Sequence, residues 1–324
     1  MQFGWGYAPP LIIEAAVRTG LFDALESGPK SAKDLAATTN TSERGVVAVM
    51  DALVGLALAA RNRDGQYLLT PESEAFLVSS RPAYLGGFFA HVSRDLIPGW
   101  LPLTDSLRSG EPMRSVNLED SGSEFFSGFV EALFPLGYHG ALSAANALAF
   151  PNDEPLQVLD VAAGSGVWGI GFAETYPRAR VTAVDWAGVI PTTQKVVARR
   201  GLSERYDFIA GDLAEADFRT GYDVATLGQI LHSEGDQRSQ ELLRRVFNAL
   251  KPGGTILIAE FLVNDDRTGP PSSLIFSVNM LLHTTTGRTY SFSEIAGWLY
   301  AAGFENPRLL QDQFPSIVIA TKPK

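Results

Sequence analysis

Three acids stand at or just past the ends of short apolar runs in the middle of the chain. Asp160 closes Val158-Leu159-Asp160, Asp185 closes Val181-Thr182-Ala183-Val184-Asp185, and Asp212 follows Ile209-Ala210-Gly211. A carboxylate at a strand end accepts hydrogen bonds, and the second of these is spaced to receive the hydroxyls of a ribose. The first leads into Val161-Ala162-Ala163-Gly164-Ser165-Gly166, small residues that let a turn bring backbone N–H groups close to a ligand where a helix starts. Further on, His232 lies in Leu231-His232-Ser233-Glu234-Gly235-Asp236, between a strand and a helix. An imidazole, with an unperturbed pKa near ~6.5, can take a proton from a hydroxyl at neutral pH. His232 is therefore the candidate general base, and Glu260, at the end of Leu257-Ile258-Ala259-Glu260, is a carboxylate that could orient it.

These residues need a scaffold, and the apolar spacing supplies one. After Asp212 the pattern gives a strand over Tyr222 to Leu227, a helix over about Asp236 to Leu250, and a strand over Thr255 to Phe261. Lys251-Pro252-Gly253-Gly254 turns the chain between the last two. A helix near Phe292 to Ala302 and strands near Pro307 to Leu310 and Ser316 to Ala320 would close the sheet with an antiparallel hairpin. Strands alternating with helices make an α/β fold, a Rossmann-like doubly wound sheet with ligands at the carboxyl ends of its strands.

Upstream the order is helix, helix, helix, hairpin, a winged-helix pattern. Leu11 to Phe22 is apolar at helical spacing with Gly20 as its stop, Ser31 and Ser42 open two further helices, and Asp64-Gly65 turns the chain into Tyr67-Leu68-Leu69-Thr70. The helix from about Glu43 to Leu56 carries Glu43, Arg44 and Asp51, which is not a basic reading head for a DNA groove, so protein contact is the better reading. Between the two regions, Tyr84 to Phe150 reads as helical and aromatic, interrupted from Ser109 to Ser123 by a polar stretch that reads as a surface loop. The expected organisation is 1–90, 91–150 and 151–324.

Taken in order and without a Walker lysine, the three acids resemble the class I S-adenosylmethionine-dependent methyltransferases. Upstream, Leu21-Phe22-Asp23-Ala24-Leu25, Leu35-Ala36 and the Asp64-Gly65 hairpin resemble the dimerisation domain of the small-molecule O-methyltransferases, so the likeness covers nearly the whole chain. It implies S-adenosyl-L-methionine as methyl donor, S-adenosyl-L-homocysteine as product, a small and aromatic or polycyclic acceptor, and a homodimer. It implies cofactor contacts from Asp160, Ala162, Gly164, Asp185, Trp186, Asp212, Leu213 and Gln229, and catalysis by His232 with Glu260. It also implies an acceptor wall from the helical bridge.

The departures are local. The family's first motif glycine is Ala162, a turn that survives the extra methyl if φ is negative. The lysine four residues before the histidine is Gly228, the aromatic two after it is Glu234, and the plant-type members' second glutamate falls on Thr289. These leave a C- or N-methyltransferase, or a non-methylating reaction of the same fold, as alternatives. Gly164-Ser165-Gly166-Val167-Trp168-Gly169 also satisfies the dinucleotide expression Gly-x-Gly-x-x-Gly, but the third acid favours the methyl donor.

Composition narrows the partners. The 324 residues are 45% hydrophobic and 19% charged, enough for two domains with real cores. A net charge of −10 opposes nucleic acid and anionic membranes, and no cysteine is present for disulfides or thiolate zinc. The four histidines lack metal-ligand spacing, so no metal is expected. No apolar run reaches the ~18 residues of a membrane span and the amino end lacks a signal-peptide pattern, which points to a cytoplasmic protein. His139 and His283 could approach the acceptor or simply be packed.

Overall fold

The computed structural model describes residues 2–117, 119–311 and 315–324. The chain divides into two compact units, Met1–Leu101 and Pro102–Lys324.

The first unit runs α1 (Ala8–Arg18), α2 (Leu21–Leu25), α3 (Ala32–Thr39), α4 (Glu43–Gly55), β1 (Ala59–Arg61), β2 (Tyr67–Leu69), α5 (Pro71–Leu77), α6 (Gly86–His91), a π-helical turn and α7 (Ile97–Trp100). The starts are set by side-chain caps: Ser31, Ser42 and Thr70 accept from the amides of Asp34, Gly45 and Ser73. Gly20, at φ 75°, breaks the expected first helix into α1 and α2. Phe22, Leu35, Met50, Leu53 and Tyr67 form the centre of this unit's core.

The second unit opens with α8 (Leu103–Ser109) and α9 (Glu119–Leu148) and then alternates strand and helix: β3 (Leu156–Val161), α10 (Val167–Thr175), β4 (Ala179–Asp185), α11 (Ile190–Arg199), β5 (Tyr206–Ala210), β6 (Tyr222–Gly228), α12 (Leu231–Ala249), β7 (Leu250–Glu260). It ends with α13 (Pro271–His283), α14 (Phe292–Ala302), β8 (Glu305–Gln311) and β9 (Ser316–Thr321). The sheet order is β5-β4-β3-β6-β7-β9-β8, parallel through β7 and antiparallel where β9 enters beside it. Because helices cover both faces, alternate residues of one strand serve two cores: Val158 belongs to one apolar cluster and Leu159 to the other. No helix among the described residues is long and apolar enough to cross a membrane.

Four local readings are corrected. The polar interruption ends at α9, which begins at Glu119 rather than after Ser123. β7 begins at Leu250, and Lys251 to Gly254 form an irregularity between the pairs Tyr222↔Leu250 and Val224↔Thr255. α12 starts at Leu231, five residues early, and crosses a break at Gly235 (φ 77°, ψ 170°). Finally, Ala162 has φ 54°, not a negative value, so the turn keeps the conformation a glycine would take and alanine is held in it.

That last residue carries a measurable cost. A left-handed alanine costs roughly 1–2 kcal/mol, of which glycine's extra unfolded-state freedom takes back roughly 0.4–1 kcal/mol. Ala162→Gly is expected to raise the denaturant midpoint by the equivalent of about 0.5–1 kcal/mol. A lower midpoint would mean that the packing of the Ala162 methyl outweighs the strain.

Candidate functional site

The acids at the carboxyl ends of β3, β4 and β5 form a row, because those strands are neighbours in the sheet. Asp160 lies beneath the turn and is almost fully buried. Its Oδ2 accepts from the Gly169 amide at 2.9 Å and its Oδ1 from the Thr226 hydroxyl at 2.7 Å, so it ties the first turns of α10 to β6 and presents no oxygen to a ligand. Gly169 is required there, since a β-carbon would lie 2.8 Å from Asp160 Oδ2 and from Val181 Cγ1. Burial pushes the Asp160 carboxyl up to about 7; the two hydrogen bonds oppose this and the charge of Asp185 adds to it.

Asp185 locks the turn from the next strand. Its Oδ2 accepts from the Gly164 amide and its Oδ1 from the Trp186 amide, each at 2.7 Å, and burial pushes it up to about 6. Gly164 (φ 55°) is closely covered, with Val130 Cγ1 only 3.4 Å from where its β-carbon would stand. Val130 belongs to α9, whose Gly122 sits against the Trp186 ring and whose Phe126 lies 6.2 Å from that ring, centroid to centroid. The front half of α9 thus roofs the β3 turn and the end of β4.

Asp212, at the end of β5, accepts at Oδ1 from the Ala214 amide at 2.8 Å and from Arg238 Nη2 at 3.4 Å, and at Oδ2 from Trp186 Nε1 at 3.4 Å. Leu213 turns its side chain into the core and leaves only its backbone at the rim. Gln229 follows β6 with φ 59°, a second strained residue beside the site, its amide donating to the Ala259 carbonyl at 2.8 Å. The strand-end carboxylates suit a nucleoside, since they offer acceptors for hydroxyls and amines.

On the other side of the crevice, His232 and Glu260 meet. His232 Nδ1 lies 2.7 Å from Glu260 Oε2, and the carboxylate also accepts from the His232 amide at 3.3 Å and the Phe261 amide at 3.2 Å. An ionised carboxylate only accepts, so Nδ1 carries the proton and donates it, which leaves Nε2 as a lone-pair acceptor. Both side chains are buried beside a stacked pair of rings, Phe261 and Phe276, whose centroids are 3.9 Å apart; Phe276 stands perpendicular to the imidazole at 4.8 Å. This constellation can hold an imidazole in one tautomer next to an apolar aromatic wall.

The other residues singled out from sequence fall into different places. Thr289 is buried and its hydroxyl bonds to no described group, so no carboxylate stands at that position. Asp236 pairs with Arg288 through both oxygens at 2.9 and 3.0 Å, and that pairing pulls its carboxyl below the usual range. His283 Nδ1 donates to the Asn279 carbonyl of its own helix, and His139 is exposed on α9. Arg238, Thr226 and the Phe261–Phe276 pair were not singled out; only the four-residue spacing of Glu234 and Arg238 was a visible signal. A surface cavity of about 150 Å³ lined by Phe150, Asp223 and Lys251 lies at the amino ends of the strands, away from all of these groups.

Comparison with known proteins gives a consistent result. Residues 137–305 match the O-methyltransferase domain family, and residues 1–79 match the O-methyltransferase dimerisation domain. The chain is 32% identical to the 3-hydroxy-5-methyl-1-naphthoate 3-O-methyltransferase of Streptomyces sahachiroi, over 94% of this chain and 88% of that one. It is 30% identical to the tetracenomycin polyketide synthesis 8-O-methyl transferase of Streptomyces glaucescens, over 96% and 92%. Among solved structures, human N-acetylserotonin methyltransferase in complex with SAM aligns with a TM-score of 0.86 and 25% identity, covering 100% of this chain and 96% of that one.

Asp160 gives the site a pH signature. Its folded-state value is raised, so the neutral form is the one the fold favours; that stability is whole below the ordinary value of 3.8 and is lost as pH rises to about 7. Asparagine can accept from the Gly169 amide and donate to the Thr226 hydroxyl without titrating. Melting temperatures from pH 4 to 8 should fall less steeply for Asp160→Asn than for the unaltered protein, by the equivalent of roughly 1–3 kcal/mol. Parallel profiles would mean that Asp160 keeps its proton equilibrium unchanged on folding. Asp185 acts in the same direction in both proteins, so some slope remains.

Proposed function

The chain belongs to the S-adenosylmethionine-dependent O-methyltransferases, and from that premise we propose that it methylates a hydroxyl on a fused-ring aromatic metabolite, with His232 as the base. The observation that carries the reading is the buried 2.7 Å contact between His232 Nδ1 and Glu260 Oε2. S-Adenosylmethionine, when bound, supplies a methyl group on a positively charged sulfur. Asp185 would hold its ribose hydroxyls, Asp212 and Trp186 its base, and the backbone of Ala162, Gly164, Leu213 and Gln229 the length of the molecule. Asp160 acts by keeping the turn in place.

His232 Nε2 takes the acceptor's hydroxyl proton, and Glu260 stabilises the imidazolium that results. The stacked Phe261 and Phe276 give an aromatic acceptor a flat apolar surface beside that nitrogen. The hydroxynaphthoate and tetracenomycin named for the two Streptomyces relatives support an acceptor of that shape. Holding the acceptor oxygen in line is worth up to ~7–11 kcal/mol in favourable systems, so most acceleration comes from position.

His232→Ala should lower turnover of a hydroxynaphthoate acceptor, read as mass gain of one methylene equivalent, by ~10²–10⁴-fold while leaving the affinity for S-adenosylhomocysteine unchanged. Turnover within a few fold of the unaltered enzyme would remove His232 from the proton transfer.

We also propose a homodimer through the amino-terminal unit. The match to a dimerisation domain supports it, and so do Phe3, Trp5 and Tyr7, which are 100%, 62% and 54% exposed in the single chain. Light scattering should give twice the 34.9 kDa chain mass, and Phe3→Ser with Trp5→Ser and Tyr7→Ser should shift the protein toward monomer. A monomeric mass for the unaltered protein at micromolar concentration would refute this.

A further inference from the structure

Glu234 is a buried acid two residues beyond His232, and it is bonded to a cation that the reaction as described does not use. Glu234 Oε2 accepts from Arg238 Nε at 2.5 Å, and Arg238 Nη2 reaches Asp212 Oδ1 at 3.4 Å. The pair has the spacing of a helix-surface ion pair but not its geometry. Gly235, with φ 77° and ψ 170°, interrupts α12 between the two residues, so a kink and not a continuous helical turn brings them together. Arg238 also lies in the first turn of the helical stretch that follows the break, where the helix dipole disfavours a cation. Its position is therefore set by the two carboxylates and not by helix stability. Glu234 is 5% exposed while the Arg238 side chain is 41% exposed, so one side of the guanidinium is engaged and the other is open.

The open side adjoins the end of β5. There one carboxylate, Asp212, is bonded at Oδ1 by the guanidinium and at Oδ2 by the Trp186 indole N–H. Both donors lie in the planes of their groups, so both planes meet the carboxylate by the edge; Gly122 and Phe126 lie against the Trp186 ring, which leaves the 41% exposed guanidinium as the group open to stacking. Two flat groups flanking one acceptor suit a purine: the carboxylate can accept from an exocyclic amine, and a guanidinium face stacks on an aromatic ring. β5 is the neighbour of β4 in the sheet, so a nucleoside whose ribose is held by Asp185, as the methyl-donor reading has it, can place its base at this strand end.

We propose that Arg238 is a cofactor-binding residue that packs against the purine of the methyl donor, and that Glu234 is the positioning residue that holds it there. This rests on the methyl-donor reading above. Because Glu234 and His232 share the start of α12 ahead of the break at Gly235, Glu234 links the purine end of the crevice to the base.

The test is calorimetric titration of the full-length protein with S-adenosylhomocysteine, with melting curves of the unliganded protein alongside. Arg238→Gln keeps hydrogen-bonding capacity to Glu234 and Asp212 but removes the cation, and it should raise Kd by about tenfold. Glu234→Gln should raise Kd in the same direction by a smaller factor, and Arg238→Lys should not restore affinity, since an ammonium has no flat face. Adenosine as ligand should lose affinity in Arg238→Gln by the same factor, because the contact is to the base. Unchanged Kd values for Arg238→Gln, or a drop in melting temperature with affinity intact, would make the pair structural and overturn the proposal. Failure of the unaltered protein to bind S-adenosylhomocysteine would instead overturn the methyl-donor reading.

Discussion

The site depends on one hydrogen bond, from the Gly164 amide to the Asp185 carboxylate. A parallel strand ends with backbone groups that its neighbours no longer pair, and the turn leaving β3 would be free to move without a partner from outside its own strand. Asp185 supplies that partner from β4 and uses its other oxygen to fix the start of its own connection at Trp186. Beneath it Asp160 does the same between α10 and β6, through Gly169 and Thr226. The crevice is shaped by carboxylates that bind the protein's own amides, and only the oxygen capacity left over remains for a ligand.

Holding acids this way is costly, and the cost is visible. Burial raises both Asp160 and Asp185 well above ordinary carboxylates, and Ala162 and Gln229 sit in left-handed conformations at the ends of adjacent strands. Such strain persists only where surrounding packing over-determines the backbone. Here the packing comes from the front half of α9, with Val130 against Gly164 and Gly122 against Trp186, and from the two apolar cores on either side of the sheet. Stability of the cores thus supports geometry at the rim.

The chemical half of the site obeys a simpler rule. His232 has one described carboxylate partner, Glu260, and Thr289, where the resemblance implied a second glutamate, is a buried hydroxyl with no hydrogen-bond partner among the described residues. One carboxylate suffices to choose the tautomer, because an acceptor at Nδ1 leaves Nε2 as the only basic nitrogen. The charge of Asp236 is directed elsewhere, to Arg288, which anchors the segment backing the histidine loop.

Much of this was legible in the sequence because it is local. Apolar runs ending in acids, a Gly-rich turn, serine caps and alternating periodicity each depend on neighbours along the chain, and they determined the sheet class, the capped helices and the positions of Asp185 and Glu260 at strand ends and of His232 just past β6. The sign of φ at Ala162, the early start of α9, the break at Gly235 and the partners of Arg238 and Asp236 were decided only by tertiary structure. The physical reason is that a strained dihedral or a buried ion pair is stabilised by groups distant in sequence: Asp212 and Arg238 are separated by β6, and Gly164 and Val130 by β3. Sequence spacing names which groups could do chemistry, whereas packing decides which of them are occupied by the protein itself and which remain available to a ligand.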